Sequence, residues 1–488
     1  MSELVEVRAG AYADSVTLML VSQRVAAGAG VEAALIAMAT PLNLDLLTGM
    51  GFTAPDCGPN DLVVAIRASD GEALAAALAA VDTGWQPAPS GDGPADQPAR
   101  TVGAALRRGP ATLALISVPG QHAFTEAWDA VQAGCDVMIF SDNVPIDQEI
   151  ALKDEAAEHG VLVMGPDCGT AVVDGFGVGF ANVLTQGRIG IVAASGTGAQ
   201  QVSCLLDLAG AGVSAVLGVG GRDLSAAVGG RSTLAALHRL DADPGTDRIV
   251  VLSKPPDDAV AATIRAEAGR LATPVRFALL GAGQPDLTAA TEAVLIDLDR
   301  PRPQWPQWGV PHQGTVPGSL RGLFTGGTLC DEAMLIASAA LGPVRSNIPL
   351  QPEWDLPEDL RAAGHLMIDF GDDALTAGRP HPMIDPSLRM ERIAAEANDP
   401  ACGVLMLDLV LGYGSHADPG PGLAEAIEAA RAAAGRVLPV VVALVGTRAD
   451  PQGLDRQAVV LAEVGAEVFV SNAQAARRAV ELLTGEAR

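Results

Sequence analysis

An apolar strand that runs straight into a turn rich in Gly and hydroxyls, and then into a helix, leaves few folding options, and this chain contains that pattern twice. Ile189-Gly190-Ile191-Val192-Ala193-Ala194 leads into Ser195-Gly196-Thr197-Gly198, and Leu320-Arg321-Gly322-Leu323-Phe324 leads into Thr325-Gly326-Gly327-Thr328. Each turn suits an anion. Glycine lets the backbone approach closely, the hydroxyls donate, and the new helix offers unpaired N–H groups at the positive end of its dipole. One such turn is common in αβ proteins. Two, each after the opening strand of a domain-sized segment, predict a structural duplication with paired half-sites around one phosphate: Ser195, Gly196, Thr197 and Gly198 on one side, Gly326, Gly327 and Thr328 on the other. The plainer alternative is that Ser195, Thr197, Thr325 and Thr328 only cap their helices.

The rest of the chain follows the same αβ rhythm. At ~150 residues per domain, 488 residues predict three or four domains. Hydrophobic residues make up 49% and aromatics 3%, so the cores are aliphatic, as parallel strands covered by helices require. The predicted fold class is α/β: a small N-terminal α/β domain over 1–84, a parallel, nucleotide-binding-like unit over 100–186, and two further αβ units over 187–300 and 319–488. Predicted strands include 62–66, 113–118, 137–140, 161–164, 189–194, 214–219, 249–253, 275–280, 320–324, 365–370, 403–411, 437–444 and 466–470. Pro- and Gly-rich 85–99 and Pro- and Trp-rich 301–317 read as linkers.

Charge excludes some partners. Asp and Glu number 58 against 31 Lys and Arg, and a net charge of −27 repels nucleic acid and anionic membranes. The six cysteines (Cys57, Cys135, Cys168, Cys204, Cys330, Cys402) form no Cys-x-x-Cys, and no metal site is assigned. The start of the chain lacks a signal-peptide pattern, and the longest apolar run, 437–445, is too short to span a bilayer. The expectation is a reduced, cytoplasmic protein.

Several strings resemble a known family. Gly165-Pro166-Asp167-Cys168-Gly169-Thr170, Gly187-Arg188-Ile189-Gly190-Ile191-Val192 with Ser195-Gly196-Thr197, and Gly218-Val219-Gly220-Gly221 resemble the α-subunit of succinyl-CoA synthetase over roughly 110–300. Residues 320–488 look like the ligase domain of its β-subunit, and the resemblance implies a Rossmann-like CoA-binding-type domain over 100–186 followed by two flavodoxin-like, succinyl-CoA synthetase-type ligase domains over 187–300 and 319–488. Phe140-Ser141-Asp142-Asn143-Val144, Gly220-Gly221-Arg222-Asp223-Leu224, Ser253-Lys254-Pro255-Pro256, Thr325-Gly326-Gly327-Thr328-Leu329 and Gly378-Arg379-Pro380-His381-Pro382-Met383-Ile384-Asp385-Pro386 are similar to the FdrA family, which carries both halves on one chain.

That resemblance implies a subunit of a hetero-oligomeric carbamoyltransferase complex in allantoin nitrogen catabolism, interconverting oxalurate plus phosphate with oxamate plus carbamoyl phosphate. An acyl-CoA ligase and a non-catalytic scaffold remain alternatives. The synthetase carries phosphate on a histidine in a loop after the fourth strand of its α ligase domain; here the corresponding Leu280-Gly281-Ala282-Gly283-Gln284-Pro285 has none. The Gly-rich CoA-phosphate loop is absent before residue 120, so CoA is not assigned, nor is Mg²⁺. Lys254, one of two lysines with Lys153, aligns where the synthetase places a Glu. A cation at a strand end facing two helix N-termini suits an acyl phosphate. Arg379 and His381, on a Pro-stiffened loop, suit carboxylate or phosphate recognition and complete the candidate catalytic set, while Asp369, Asp372 and Asp373 read as helix caps. His416 ranks below them. Arg222-Asp223 reads as a self-satisfying ion pair and Cys168 as a packed thiol, and His122, His159 and His238 fall in predicted helices without a role.

Overall fold

A computed structural model describes residues 2–9, 11, 15–58, 61–84, 99–376 and 380–486. Nearly all of the 85–99 linker, and Arg379, lie outside the described residues. Contacts divide the chain into one unit of 1–98 with 376–380 and a second of 99–375 with 381–488.

In the first unit, strands β1 (Ser2–Arg8), β2 (Val31–Met38) and β3 (Leu62–Ala68) form an antiparallel sheet in the order β1-β3-β2. β3 is buried at six of its seven positions, with side chains alternating between two small cores. Leu62, Val64 and Ile66 pack against helices Ser15–Ala26 and Gly71–Gly84, whereas Val63 and Ala65 face the Leu47 and Phe52 side.

The second unit opens with β4 (Leu113–Ile116), β5 (Asp136–Ile139) and β6 (Val163–Met164), a parallel sheet in that order with its own core. Next come the hairpin strands β7 (Thr170–Val173) and β8 (Phe176–Gly179), then β9 (Gln186–Ala194), β10 (Val213–Gly218), β11 (Arg248–Ser253) and β12 (Val275–Leu279). These six make one sheet in the order β12-β11-β9-β10-β7-β8, so the last hairpin of the segment read as Rossmann-like joins its neighbour's sheet. The final sheet contains β13 (Gln307–Trp308), β14 (Ser319–Phe324), β15 (Val344–Arg345), β16 (His365–Asp369), β17 (Cys402–Val410), β18 (Val440–Val445) and β19 (Glu467–Phe469). Its order is β13-β19-β18-β17-β14-β16-β15, and β13, inside the 301–317 linker, pairs with β19.

The two larger sheets share a plan. In each, the strand that leads into a Gly/Thr turn lies between two later parallel strands (β9 between β10 and β11, β14 between β16 and β17), which places a topological switch point at its C-terminal end. Every residue of β17 and β18 is buried, which explains why β18 reads as an unbroken apolar run and β17 as one interrupted by Asp408. One continuous core joins both sheets, from Ile191, Val250 and Leu205 to Leu407, Val442 and Leu461. Buried amides fix the halves together: Gln201 Nε2 donates to Val470 O at 3.0 Å and Gln201 Oε1 accepts from Asn472 N at 3.0 Å.

Candidate functional site

Each switch point sends its chain into one of the two Gly/Thr turns, and the fold brings those turns into contact. Ser195 closes β9 and caps helix Gly196–Leu208, its Oγ accepting from Gly198 N at 3.0 Å. The same hydroxyl lies 2.6 Å from Thr328 Oγ1, in the first turn of helix Gly327–Leu341. A Cβ on Gly198 would stand 3.0 Å from Thr328 Cγ2, and one on Gly326 would stand 2.8 Å from Thr197 Oγ1, so glycine at both positions allows the helix starts to touch.

The half-sites are not equivalent. At the second, Asp408 from β17 already fills the turn: its carboxylate accepts from Thr325 N (2.8 Å), Thr325 Oγ1 (3.0 Å) and Gly326 N (2.9 Å), and from Arg389 Nη1 (2.7 Å). Asp408 and Arg389 are both buried, and desolvation holds the Asp408 carboxyl above its usual range despite these donors. At the first, a Cβ on Gly196 would meet nothing closer than Thr170 Oγ1 at 3.4 Å, and among the described residues the amides of Gly196 and Thr197 have no acceptor. Two candidate phosphate ligands are thereby corrected. The Gly198 amide is committed to Ser195 and the Gly326 amide to Asp408, which leaves Gly196, Thr197, Gly327 and the two hydroxyls. Capping explains Ser195, but Thr325 and Thr328 cap nothing: one hydroxyl serves Asp408 and the other Ser195.

Lys254 follows β11 beside the Gly327 helix, its Nζ 3.0 Å from where a Cβ on Gly327 would be and 3.4 Å from Asp331 Oδ2. Its side chain is 40% exposed, so solvent reaches it, although protein surrounds it on most sides. Desolvation pulls its pKa down, yet Asp331 and Asp369 outweigh that and hold it above the usual lysine value. The expected cation at a strand end is present, but it answers two carboxylates as well as a helix end.

Asp369, at the end of β16, is buried and does not cap a helix: its Oδ1 accepts from Gly371 N at 2.9 Å. Burial pushes it up to about 7 against the pull of Lys254. Asp372 does act as a cap, accepting from Ala374 N at 3.1 Å. Asp167, after β6, is reached by solvent, and the desolvating walls around it together with Asp373 push it up to about 7. His381 packs tilted against Phe180, ring centroids 5.2 Å apart, and accepts from Met383 N through Nδ1 (3.2 Å), with Nε2 directed at Gly371. Burial pulls it down to about 4, so it is a neutral imidazole whose Nε2–H can donate.

Other readings change. Arg222 pairs with Glu149 (2.9 Å) and Val144 O (2.8 Å), while Asp223 binds Lys153 (2.8 Å) and the amides of Ser232 and Thr233, so Arg222-Asp223 is not a self-satisfying pair. Cys168 is a buried thiol that desolvation pushes up to about 12. His416 Nδ1 accepts from Asp418 N at 3.1 Å, a loop contact. The loop Leu280–Pro285 lines a separate cavity of about 430 Å³ with Glu332, Ile336 and Arg477. A Cβ on Gly120, the first residue of the helix after β4, would overlap the backbone carbonyl of Asp142, so glycine is required there for the loop after β5 to approach. Among the described residues no group of His, Cys, Asp and Glu is arranged to hold a metal, and no helix is long and apolar enough to cross a membrane.

A family model described as CoA-ligase matches residues 323–482, and one described as AllF, heavy metal-associated domain, matches residues 1–99. Residues 1–99 contain one cysteine, Cys57, and no histidine. YahF of Escherichia coli K12 is 39% identical over 493 residues, which cover 95% of each chain. The α subunit of ADP-forming succinate–CoA ligase from Methanothermobacter thermautotrophicus is 30% identical over 148 residues, 30% of this chain and 49% of that one. Among solved structures, dinucleotide-forming acetyl-coenzyme A synthetase 1 of Ca. Korarchaeum cryptofilum, in complex with phosphate and ADP, matches 78% of this chain and 84% of its own at 15% identity, with a TM-score of 0.29.

Proposed function

The chain belongs to the FdrA/AllF-like family of succinyl-CoA synthetase-like proteins, and from that premise we propose that it is a subunit of a carbamoyltransferase complex in allantoin nitrogen catabolism. The reaction is oxalurate plus phosphate to oxamate plus carbamoyl phosphate. One observation carries the reading: the two Gly/Thr turns meet at a 2.6 Å hydroxyl contact beside Lys254, while the loop that would carry a phosphohistidine has no histidine. An acyl phosphate made directly from inorganic phosphate needs the cradle and not the carrier. Phosphate rests on the Gly196 and Thr197 amides and the Ser195 and Thr328 hydroxyls. Lys254 stabilises charge on the phosphate as its oxygen attacks the carbamoyl carbon. His381 donates from Nε2 to the substrate as a neutral group.

The CoA-ligase match and the succinate–CoA ligase relatives place the chain among acyl-CoA ligase-type proteins, and they support acyl-CoA synthesis as the second reading. Against it stands the missing carrier histidine in Leu280–Pro285. The test is phosphate-dependent release of oxamate from oxalurate by the purified chain, alone and with the products of neighbouring genes. Parallel incubation with labelled ATP and Mg²⁺ should leave no acid-labile protein phosphate. Stoichiometric labelling with CoA-dependent turnover, and no oxamate, would replace the proposal with the ligase.

A further inference from the structure

We propose that Asp369 is a catalytic acid–base of this site, lending a proton to the nitrogen that leaves the carbamoyl carbon and recovering one from the phosphate hydroxyl. The inference rests on the carbamoyl-transfer reading and assigns a step for which that reading names no residue.

The structure fixes Asp369 from three sides and leaves one oxygen unengaged. Its backbone is clamped by Asn347, which accepts from Asp369 N at 3.0 Å and donates to Asp369 O at 2.9 Å. Oδ1 accepts from Gly371 N at 2.9 Å. Oδ2 accepts no hydrogen bond among the described residues and lies 2.5 Å from where a Cβ on Gly327 would stand, at the start of the cradle helix and in the field of Lys254. The residue is only 4% exposed. A carboxyl group with a fixed backbone, one anchored oxygen and one oxygen aimed at the reacting region has the geometry proton transfer needs. Its neighbours are otherwise occupied, since Asp408 is saturated by Thr325, Gly326 and Arg389, and Asp331 faces Lys254. Burial also places the Asp369 carboxyl near about 7, where both protonation states are populated at neutral pH.

The step balances within the proposed reaction. A phosphate oxygen of HPO₄²⁻ forms the new O–C bond at the ureido carbonyl, and the C–N bond to the oxamate nitrogen breaks. An amide anion is too poor a leaving group, so the protonated Asp369 donates its proton to that nitrogen and becomes a carboxylate. The P–OH of the newly formed carbamoyl phosphate then returns a proton to Asp369. No net proton, oxidant or further reactant is required.

The experiment measures kcat for phosphate-dependent oxalurate cleavage from pH 5.5 to 9, using the full chain in its active complex, for the parent, Asp369→Asn and Asp369→Glu. In the parent, kcat falls above pH ~7 in addition to the titration of phosphate itself, because the acid form of Asp369 is lost. Asp369→Asn removes that limb and lowers kcat on the order of 10²- to 10⁴-fold, with KM for phosphate changed little. Asp369→Glu restores part of the rate and shifts the limb. An Asn variant within a few-fold of the parent, or one that keeps the limb, overturns the assignment. If Asp369→Asn unfolds below the assay temperature, Asp369→Glu decides, and an unshifted limb overturns it. A parent complex that releases no oxamate removes the carbamoyl reading and this assignment with it, whereas a working parent with an indifferent Asn variant removes the assignment alone.

Discussion

Asp408→Asn is the sharpest test of the inequality between the two half-sites. The substitution preserves shape and deletes the charge that binds Thr325 N, Thr325 Oγ1, Gly326 N and Arg389 Nη1. Arg389 is 2% exposed and cannot recover solvent. Removing one member of a buried ion pair leaves the other uncompensated and costs about 3–5 kcal/mol. The amide would also turn its NH₂ towards at least one N–H, adding about 1–3 kcal/mol for an unmade buried hydrogen bond. The second unit spans 99–375 and 381–488, and at about 2.1 cal/mol/K of unfolding entropy per residue a loss of about 4 kcal/mol should lower Tm by at least roughly 5 °C. The assay is differential scanning calorimetry at neutral pH, with Asp408→Asn plus Arg389→Met as the second variant. Removing both charges should regain at least half of the loss, since an apolar replacement for a buried pair is often neutral. An Asp408→Asn protein within 1 °C of the parent would refute the idea that an internal carboxylate fills this turn, and would reopen the Gly326 amide to phosphate.

Lys254→Met should raise the reaction barrier by about 2–4 kcal/mol, roughly a hundredfold or more in turnover, with little change in Tm because the side chain is reached by solvent; turnover within a few-fold would make Lys254 a surface charge. Gly196→Val should weaken phosphate binding in a folded protein, measured by titration calorimetry, since its side chain enters space that no protein atom fills. Gly327→Ala acts differently: its Cβ meets Asp369 Oδ2 at 2.5 Å and Lys254 Nζ at 3.0 Å, so turnover should drop by displacement of those groups, while a parent-like rate would show that they move freely. For His381 the native pKa, about 4, lies below the unfolded value near ~6.5, so the unfolded chain binds the extra proton; stability from this group is complete above pH ~6.5 and is lost as pH falls towards 4. His381→Gln should flatten that part of a Tm-against-pH curve, and an unchanged slope would assign the acid sensitivity elsewhere.

The strands were legible because parallel strands covered on both faces are apolar runs that end in glycine, as at 189–194 and 440–445. The two turns were legible for the same reason, and their meeting followed from the duplicated topology. The β7–β8 hairpin left a signal that was not used: Asp174-Gly175, both at positive φ, between two short apolar runs. Asp408 and Asp369 left no local signal. Asp408 meets Thr325 across 83 positions, and nothing in the periodicity of β17 marks one buried Asp as the anion of another strand's turn. Arg222 and Asp223 misled for the converse reason: adjacency suggested a pair, but on a tight turn neighbouring side chains diverge, and each found a partner 70 or more positions away.

The tie between Gln201 and the pair Val470 and Asn472 has a consequence for synthesis on the ribosome. Gln201 belongs to the helix that offers Gly196 to phosphate, and its side-chain partners lie 269 and 271 residues later. At about 5–20 residues per second, that helix emerges on the order of tens of seconds before the segment that completes its surroundings. During this interval Leu205 and the apolar residues beside it lack the second half of their core. The nascent first half therefore exposes apolar surface for that interval, and a nonsense truncation before residue 470 should yield an aggregating fragment rather than a smaller working domain.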